Sequence, residues 1–306
     1  MKRNASSGRL RPLILSKRRL ERFFAIWRLS GRLDLALLAA RFRCQEVVES
    51  FLLSGGHITT SSVEYRNLRL PVEPFRGPGL GGVAYMRRLV DFGATISAAG
   101  GADFAINLPD GCVFEASSSG LVDSMLMLVE RFVDEEYAWL EPTGRIVVDV
   151  GTNIADSVIY FVGRGALHVY GYEPDPVAFS AALRNVARNN IQNVTLVPAA
   201  VTHVASPGDD HSARFVDLLR KVSLNHPGIA IVCKIDCEGC EYEIVNSSAD
   251  LARAFGPVVQ VMIEYHHRGS VSLKADLEGL GFQVDAAETV GGVGWVRARK
   301  AGPPPQ

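Results

Sequence analysis

From Thr143 onward, short apolar runs alternate with stretches that carry apolar residues at helical spacing. Apolar runs of this kind are typical of strands that are buried on both faces, and the amphipathic stretches are typical of helices packed on a sheet. The alternation predicts an α/β fold with a mainly parallel, seven-stranded sheet and helices on both faces. The predicted strands are 145–150, 167–172, 193–197, 229–235, 258–264, 281–286 and 293–298. Among the predicted helices, one begins near residue 240 and another covers 271–279.

The first 130 residues show different patterns. Apolar positions between residues 17 and 53 predict two or three helices, with a break near Ser30-Gly31. Between residues 57 and 120, short β-prone segments alternate with Pro and Gly. The glycine-rich stretch at 77–82 lacks the Lys-Ser/Thr of a phosphate-binding loop, so we expect a flexible loop there. The chain is thus divided into a basic helical arm (1–56), a small β-rich region (57–130), an α/β domain (131–300) and a disordered tail (301–306).

Composition adds few constraints. The chain has 306 residues, 47% of them hydrophobic. Its net charge of −1 provides no overall electrostatic attraction to nucleic acid. We expect no transmembrane segment and no signal peptide, because charges interrupt every long apolar run. Five cysteines are sparse and odd in number. We therefore expect a cytoplasmic protein with free thiols.

Charge is concentrated near the N-terminus, where residues 1–43 contain twelve Lys or Arg, opposed by Glu21 and Asp34. Such an arm could make a weak contact with an anionic surface, or it could form an ordinary solvated helical face.

The segment Val147–Ala155 carries the most specific chemistry. It predicts a buried strand, a glycine turn at Gly151 and the start of a helix, and Glu173 ends the next strand. A carboxylate at that position can accept hydrogen bonds from both ribose hydroxyls of an adenosine ligand. The turn lacks the further glycines that make room for a pyrophosphate, since Asn153 and Ala155 occupy those positions. This favours S-adenosylmethionine, which carries no phosphate, over a dinucleotide.

Further polar residues follow the predicted strands at the sheet edge where ligands of such folds bind. Candidates for cofactor binding are Asp149, Gly151, Asn153, Glu173, Asp175 and Ala200. Candidates for catalysis are Asp236, Glu238, Glu264 and His266. We expect no metal among them.

Three segments together resemble FkbM-type methyltransferases: Val147–Phe161, Tyr172–Asp175 and Lys234–Tyr242, with Met262–His266 fitting the same pattern. The resemblance covers roughly residues 130–300. It implies a class I, Rossmann-like, S-adenosylmethionine-dependent enzyme that methylates a hydroxyl oxygen of a small molecule, glycan or lipid.

The resemblance also implies roles for individual residues. Asp149, Gly151 and Asn153 would line the methionine end of the cofactor, and Glu173 would hold the ribose. Asp236 and Glu238 would face the methyl acceptor, and one group among Asp236, Glu238, Glu264 and His266 would remove the hydroxyl proton. Ala155 departs from the family pattern, which has Gly at that position.

Other hypotheses remain open at this point. The spacing of Cys233, Cys237 and Cys240 matches that of radical S-adenosylmethionine enzymes, and the three thiolates with His266 could also bind zinc. A nicotinamide-dependent oxidoreductase would use the same fold and Glu173, but this chain lacks the glycine fingerprint of such enzymes. A non-catalytic binding module with a methyltransferase fold is the remaining alternative, with Ala155 as its direct support.

Overall fold

A computed structural model describes residues 16–100, 103–204, 211–246, 248–287 and 293–300. The chain divides into two compact units. One comprises Met1–Pro109 with Ala116–Val129, and the other comprises Asp110–Glu115 with Glu130–Gln306. The first part of the basic arm and the predicted disordered tail at 301–306 lie outside the described residues.

The N-terminal unit begins with the three predicted helices, α1 (Lys17–Ser30), α2 (Leu33–Arg41) and α3 (Gln45–Leu53). Gly31, with a φ of 67°, ends α1 at the predicted break. Part of the basic excess is paired within this unit, because Arg22 bonds Glu46 and Arg32 bonds Asp34. Across the described ranges, no helix is both long and apolar enough to cross a membrane.

The region after α3 contains helices as well as strands. Its strands are β1 (His57–Ile58), β2 (Ser62–Tyr65), β3 (Leu68–Pro71), β4 (Thr95–Gly100), β5 (Asp103–Asn107) and β6 (Val113–Ser117). Its helices are the 3₁₀ turns Glu73–Phe75 and Gly77–Gly82, α4 (Val83–Phe92), α5 (Leu121–Leu128) and the π-helical turn Val129–Val133. Val83, Met86 and Leu89 are buried at helical spacing along α4. This helix is not predicted from the sequence, because β-prone segments surround it.

The expectation of a flexible loop at 77–82 is wrong, because these residues form a 3₁₀ helix. Two of the glycines there allow close packing. A Cβ on Gly79 would lie 2.2 Å from the Pro74 carbonyl oxygen, and one on Gly82 would lie 2.7 Å from the Val122 side chain.

The C-terminal unit is built on a seven-stranded sheet, as the alternating pattern predicts. In chain order its strands are β7 (Ile146–Val150), β8 (His168–Tyr172), β9 (Val194–Val197), β12 (Ile231–Ile235), β13 (Val258–His266), β14 (Phe282–Ala287) and β15 (Val293–Lys300). The spatial order is β14-β15-β13-β12-β7-β8-β9. The pairs from β13 to β9 are parallel, and β15 is antiparallel to both of its neighbours.

Helices connect these strands and cover the sheet. They are α6 (Asp156–Gly163), α7 (Pro176–Arg188), α8 (Phe215–Asn225), α9 (Glu241–Ile244), α10 (Ala249–Ala254) and α11 (Val271–Gly279). Two short parallel strands, β10 (Ala200–Thr202) and β11 (Ser212–Arg214), lie outside the main sheet.

Both faces of the sheet are buried, which explains why its strands are continuous apolar runs. Along β7, Ile146, Val148 and Val150 pack in one apolar cluster, while Val147 packs in another that includes Val158 and Phe161 of α6. Successive side chains of a strand point to opposite faces, so each strand contributes to both layers. The architecture is therefore α/β, Rossmann-like and mainly parallel.

Two predictions near strand ends need correction. Strand β13 reaches His266, two residues beyond the predicted end at residue 264, because β15 pairs with β13 as far as His266. The helix predicted from about residue 240 is only the short α9. Val245 leaves helical geometry with a ψ of 108°, and α10 begins separately after the Ser248 cap.

Gly151 marks a close approach between two strand ends. Its φ is 78°, and a Cβ placed there would lie 1.8 Å from the carbonyl oxygen of Asp236. Any side chain at this position would therefore push the ends of β7 and β12 apart.

We predict that Gly151→Ala lowers the free energy of unfolding by more than about 2 kcal/mol, which is the upper cost of left-handed backbone alone. Urea unfolding monitored by circular dichroism measures the change. Gly163→Ala is the matched control, because a Cβ at Gly163 meets no atom within 4 Å, and it should cause no loss. Equal stability of the two variants would contradict the role assigned to Gly151.

Candidate active site

A cavity of about 340 Å³ opens at the carboxyl ends of β7, β8 and β12. This is the edge at which parallel α/β sheets bind ligands. Six of the ten candidate site residues line it: Gly151, Asn153, Glu173, Ala200, Asp236 and Glu238. Residues from four separate parts of the chain thus meet at one cavity. Three of these parts follow the neighbouring strands β12, β7 and β8.

Glu173 is held in one orientation by the backbone. One carboxylate oxygen accepts a hydrogen bond from the amide of Asn153 at 2.9 Å, and the other accepts one from the amide of Asp175 at 2.9 Å. Each carboxylate oxygen can accept more than one hydrogen bond. The buried carboxylate can therefore still accept hydrogen bonds from a ligand in the cavity.

The turn between β7 and α6 has unusual backbone geometry. Asn153 and Ala155 have φ values of 46° and 68°, in the left-handed region that favours glycine. Ala155 is buried and occupies the cap position of α6. The chain therefore adopts at Ala155 a conformation that Gly adopts most easily, with a methyl group added.

Lys234 forms the electrostatic centre beneath this turn. Its ammonium lies 3.2 Å from Asp149 and 3.5 Å from Asp236, and it donates a hydrogen bond to the Gly151 carbonyl oxygen at 2.5 Å. Burial lowers the pKa of Lys234, but Asp149 and Asp236 outweigh it and leave the pKa above its ordinary value. Lys234 is therefore a buried cation.

The strand register explains why these charges meet. Lys234 is directly opposite Asp149 in the pairing of β12 with β7, so both side chains lie on the same face. On that face, the other oxygen of Asp149 accepts a hydrogen bond from the Ser157 hydroxyl of α6 at 2.5 Å. Asp149 is fully buried and does not line the cavity.

Asp175 likewise makes a local structural contact. Its carboxylate accepts hydrogen bonds from the amides of Val177 and Ala178 and so caps α7. Ala200, by contrast, lines the cavity beside Ala199 and Val201. These small side chains leave room for a flat ring against the backbone.

The candidate catalytic residues form one acidic cluster. Within it, Nε2 of His266 lies 3.7 Å from a Glu238 oxygen and 3.9 Å from a Glu264 oxygen. Burial, reinforced by repulsion from Asp236 and Glu136, raises the pKa of Glu264 to about 8. Glu264 and His266 do not line the cavity itself.

The expectation of free thiols is wrong for two of the cysteines. Cys237 and Cys240 form a disulfide across the turn that carries Glu238, and both line the cavity. Their Cα atoms lie 5.5 Å apart because the chain turns back through Gly239, which has a φ of 121°. Cys233 is buried within β12. The three sulfurs therefore do not form the thiolate set that an iron–sulfur cluster or a cysteine zinc site requires.

Two buried cations, Lys234 and Arg131, are not among the residues predicted from the sequence. Lys234 begins the segment Lys234–Tyr242, and pairing of the two predicted strands would place it opposite Asp149. Arg131 gives no such signal. It lies 3.1 Å from Asp156, is paired with Glu136, and stacks on Tyr137 with its guanidinium carbon 4.3 Å from the ring centroid.

No family model matches the chain, and no curated protein resembles its sequence. Among solved structures, a ribosomal protein L11 methylase from Lactobacillus delbrueckii subsp. bulgaricus is similar over 61% of this chain and 81% of its own, with 18% identity and a TM-score of 0.34.

Two further structures are similar at the same level. M. jannaschii TYW2 in complex with AdoMet aligns over 68% of this chain and 90% of its own, with 17% identity and a TM-score of 0.41. A protein of the NADB-Rossmann superfamily from Streptococcus agalactiae aligns over 56% and 69%, with 15% identity and a TM-score of 0.38. At such TM-scores the likeness carries no weight, and the fold class rests on the observed strand order and layers.

We predict that Lys234→Met lowers the free energy of unfolding by about 3–5 kcal/mol, because it leaves Asp149 and Asp236 near each other without a cation. Urea unfolding at neutral pH measures this change. Lys274→Met removes a solvent-exposed pairing with Glu278 and should change stability by less than about 0.5 kcal/mol. A similarly small effect of Lys234→Met would show that the buried ion pair does not hold the two strand ends.

Proposed function

We propose that this protein is an S-adenosylmethionine-dependent methyltransferase. The observation that carries the proposal is the arrangement around the cavity. Glu173, fixed by two backbone amides, lies on one wall, and Asp236 and Glu238 lie on another. One wall has the chemistry for ribose hydroxyls, and the other offers proton acceptors.

The cavity suits this cofactor in shape as well as in charge. Gly151 presents bare backbone because any Cβ there would overlap the Asp236 carbonyl oxygen. Ala199 and Ala200 offer small side chains for the adenine. The turn between β7 and α6 has no run of glycines that would admit a pyrophosphate, which argues against a nicotinamide dinucleotide.

The residues present support direct transfer of a methyl group. The cofactor supplies a methyl carbon activated by a sulfonium. An acceptor hydroxyl oxygen attacks this carbon in line, the C–O bond forms as the S–C bond breaks, and the electron pair of the broken bond stays on sulfur. The hydroxyl proton passes to a carboxylate or imidazole of the cluster formed by Asp236, Glu238, Glu264 and His266. Positioning by the rigid strand ends supplies much of the rate.

Oxygen methylation and membership of the FkbM-type group are the finer parts of the proposal. Their support is the sequence resemblance over Val147–Phe161, Tyr172–Asp175 and Lys234–Tyr242. The acceptor would be a hydroxylated small molecule, glycan or lipid. Incubation with cofactor labelled on the methyl group, against panels of these three classes, tests this part.

We predict that the full chain binds S-adenosylmethionine and S-adenosylhomocysteine in calorimetry and binds NAD⁺ and NADP⁺ much more weakly. Glu173→Gln should weaken cofactor binding by about 10- to 100-fold, because hydrogen bonds to a charged group contribute about 1.5–3 kcal/mol.

Glu278→Gln, on the exposed side of α11, is the matched control and should leave cofactor affinity unchanged. Circular dichroism of both variants is the check that they are folded. Tight binding of a nicotinamide dinucleotide, or unchanged cofactor affinity of folded Glu173→Gln, would overturn the proposal. Tight cofactor binding without any transfer to the acceptor panels would instead favour a binding module.

A further inference from the structure

Three potential metal ligands converge beside the cavity. Asp236, Glu238 and His266 each offer a ligand atom, and these atoms all lie within 4.8 Å of one another. They come from the end of β12, the disulfide-closed turn after it, and the last residue of β13. The parallel pairing of β12 with β13 brings these strand ends together.

His266 lacks the contacts that a buried imidazole normally makes. Its side chain is only 8% exposed, and Nδ1 has no hydrogen-bond partner. Nε2 faces the oxygens of Glu238 and Glu264 at 3.7 and 3.9 Å, beyond hydrogen-bonding distance. Nδ1 lies 3.4 Å from Glu241, whose oxygen accepts a hydrogen bond from the backbone amide of His266. Nδ1 thus lies on the side of Glu241, and Nε2 is the nitrogen of this buried imidazole that faces the carboxylate cluster.

The charge around this imidazole is also unbalanced. Asp236, Glu238, Glu241 and Glu264 all approach the same region, while the nearby cation Lys234 is also paired with the buried Asp149. Arg131 is committed to Asp156 and Glu136. A bound cation would offset the repulsion among these carboxylates and give Nε2 of His266 a partner.

We propose that Asp236, Glu238 and His266 bind a divalent cation. Two carboxylates and one imidazole form a mixed oxygen and nitrogen ligand set, which suits a cation of the Mn²⁺ class. Glu238 is 81% exposed, so the site is open to solvent and leaves positions for water or for an oxygen of a substrate. The proposal differs from the sequence expectation of no metal among the candidate site residues.

A cation at this site would also assign a function to Asp236 and Glu238 in the cavity. Asp236 and Glu238 line the cavity as well as the metal site, so a cation there lies where the methyl acceptor would enter. An acceptor with a hydroxyl that can ligate the cation fits this geometry, a point that rests on the proposed function. Binding of the cation itself does not depend on it.

Titration of the chelator-treated full chain with Mn²⁺, followed by the EPR signal of the free aqueous ion, tests the site directly. Reducing agent is omitted, because Glu238 lies within the turn closed by Cys237 and Cys240. We expect a single bound Mn²⁺ per chain. Glu238→Gln should weaken binding by more than about tenfold. Because the Glu238 side chain is 81% exposed, we expect this variant to fold as the parent chain does.

The matched controls are Glu278→Gln, an exposed acid on α11, and His57→Gln, an exposed histidine on β1. Both should bind Mn²⁺ as the parent chain does. Electron-spin-echo modulation from an imidazole nitrogen should appear with bound Mn²⁺ and be lost in His266→Gln.

No Mn²⁺ binding by the parent chain, or equal binding by Glu238→Gln, would overturn the metal site. The titration contains no S-adenosylmethionine, so its outcome is independent of the calorimetry. Cofactor binding without Mn²⁺ binding would defeat only the metal site, and Mn²⁺ binding without cofactor binding would defeat only the proposed function.

Discussion

The buried ammonium of Lys234 holds together the two strand ends on which the candidate site depends. It pairs with Asp149 at the end of β7 and with Asp236 just after β12, and it donates to the carbonyl oxygen of Gly151 between them. Moving such charges out of water is costly, and the cost is offset only when the partners are well placed. Gly151 makes this placement possible, since any side chain there would collide with the Asp236 backbone.

The two halves of the site follow from this constraint. On one side of Lys234, the turn after β7 directs the Asn153 amide toward Glu173 and fixes the carboxylate proposed to bind ribose. On the other side, Asp236 begins the disulfide-closed turn that places Glu238 near His266. A single buried cation thus links the part of the cavity suited to an adenosine ligand with the part suited to proton or metal chemistry.

Much of the C-terminal unit could be predicted because its strands are buried on both faces, and such strands appear as apolar runs. Gly151 and Glu173 could be identified in the same way, since each follows directly from the end of a predicted strand. Asp149 and Asp175 show the limit of that reasoning. They also lie at strand ends, yet the fold uses Asp149 in a buried ion pair and Asp175 as a helix cap.

Other features depend on contacts between distant residues, which local patterns do not contain. The extension of β13 to His266 requires the antiparallel partner β15. The disulfide requires the reversal at Gly239, and the packed glycines at 77–82 require Pro74 and Val122 as neighbours. Arg131 acquires its role only when Tyr137 and Asp156 surround it.

The central claim is that the cavity beside Gly151 binds an adenosine-containing methyl donor with its sulfur toward the acidic cluster. A crystal structure of the full chain with S-adenosylhomocysteine tests this most directly. The account predicts both ribose hydroxyls on the Glu173 carboxylate, adenine beside Ala199 and Ala200, and the sulfur on the side of Asp236 and Glu238. A ligand bound elsewhere, or one whose ribose does not contact Glu173, would contradict it.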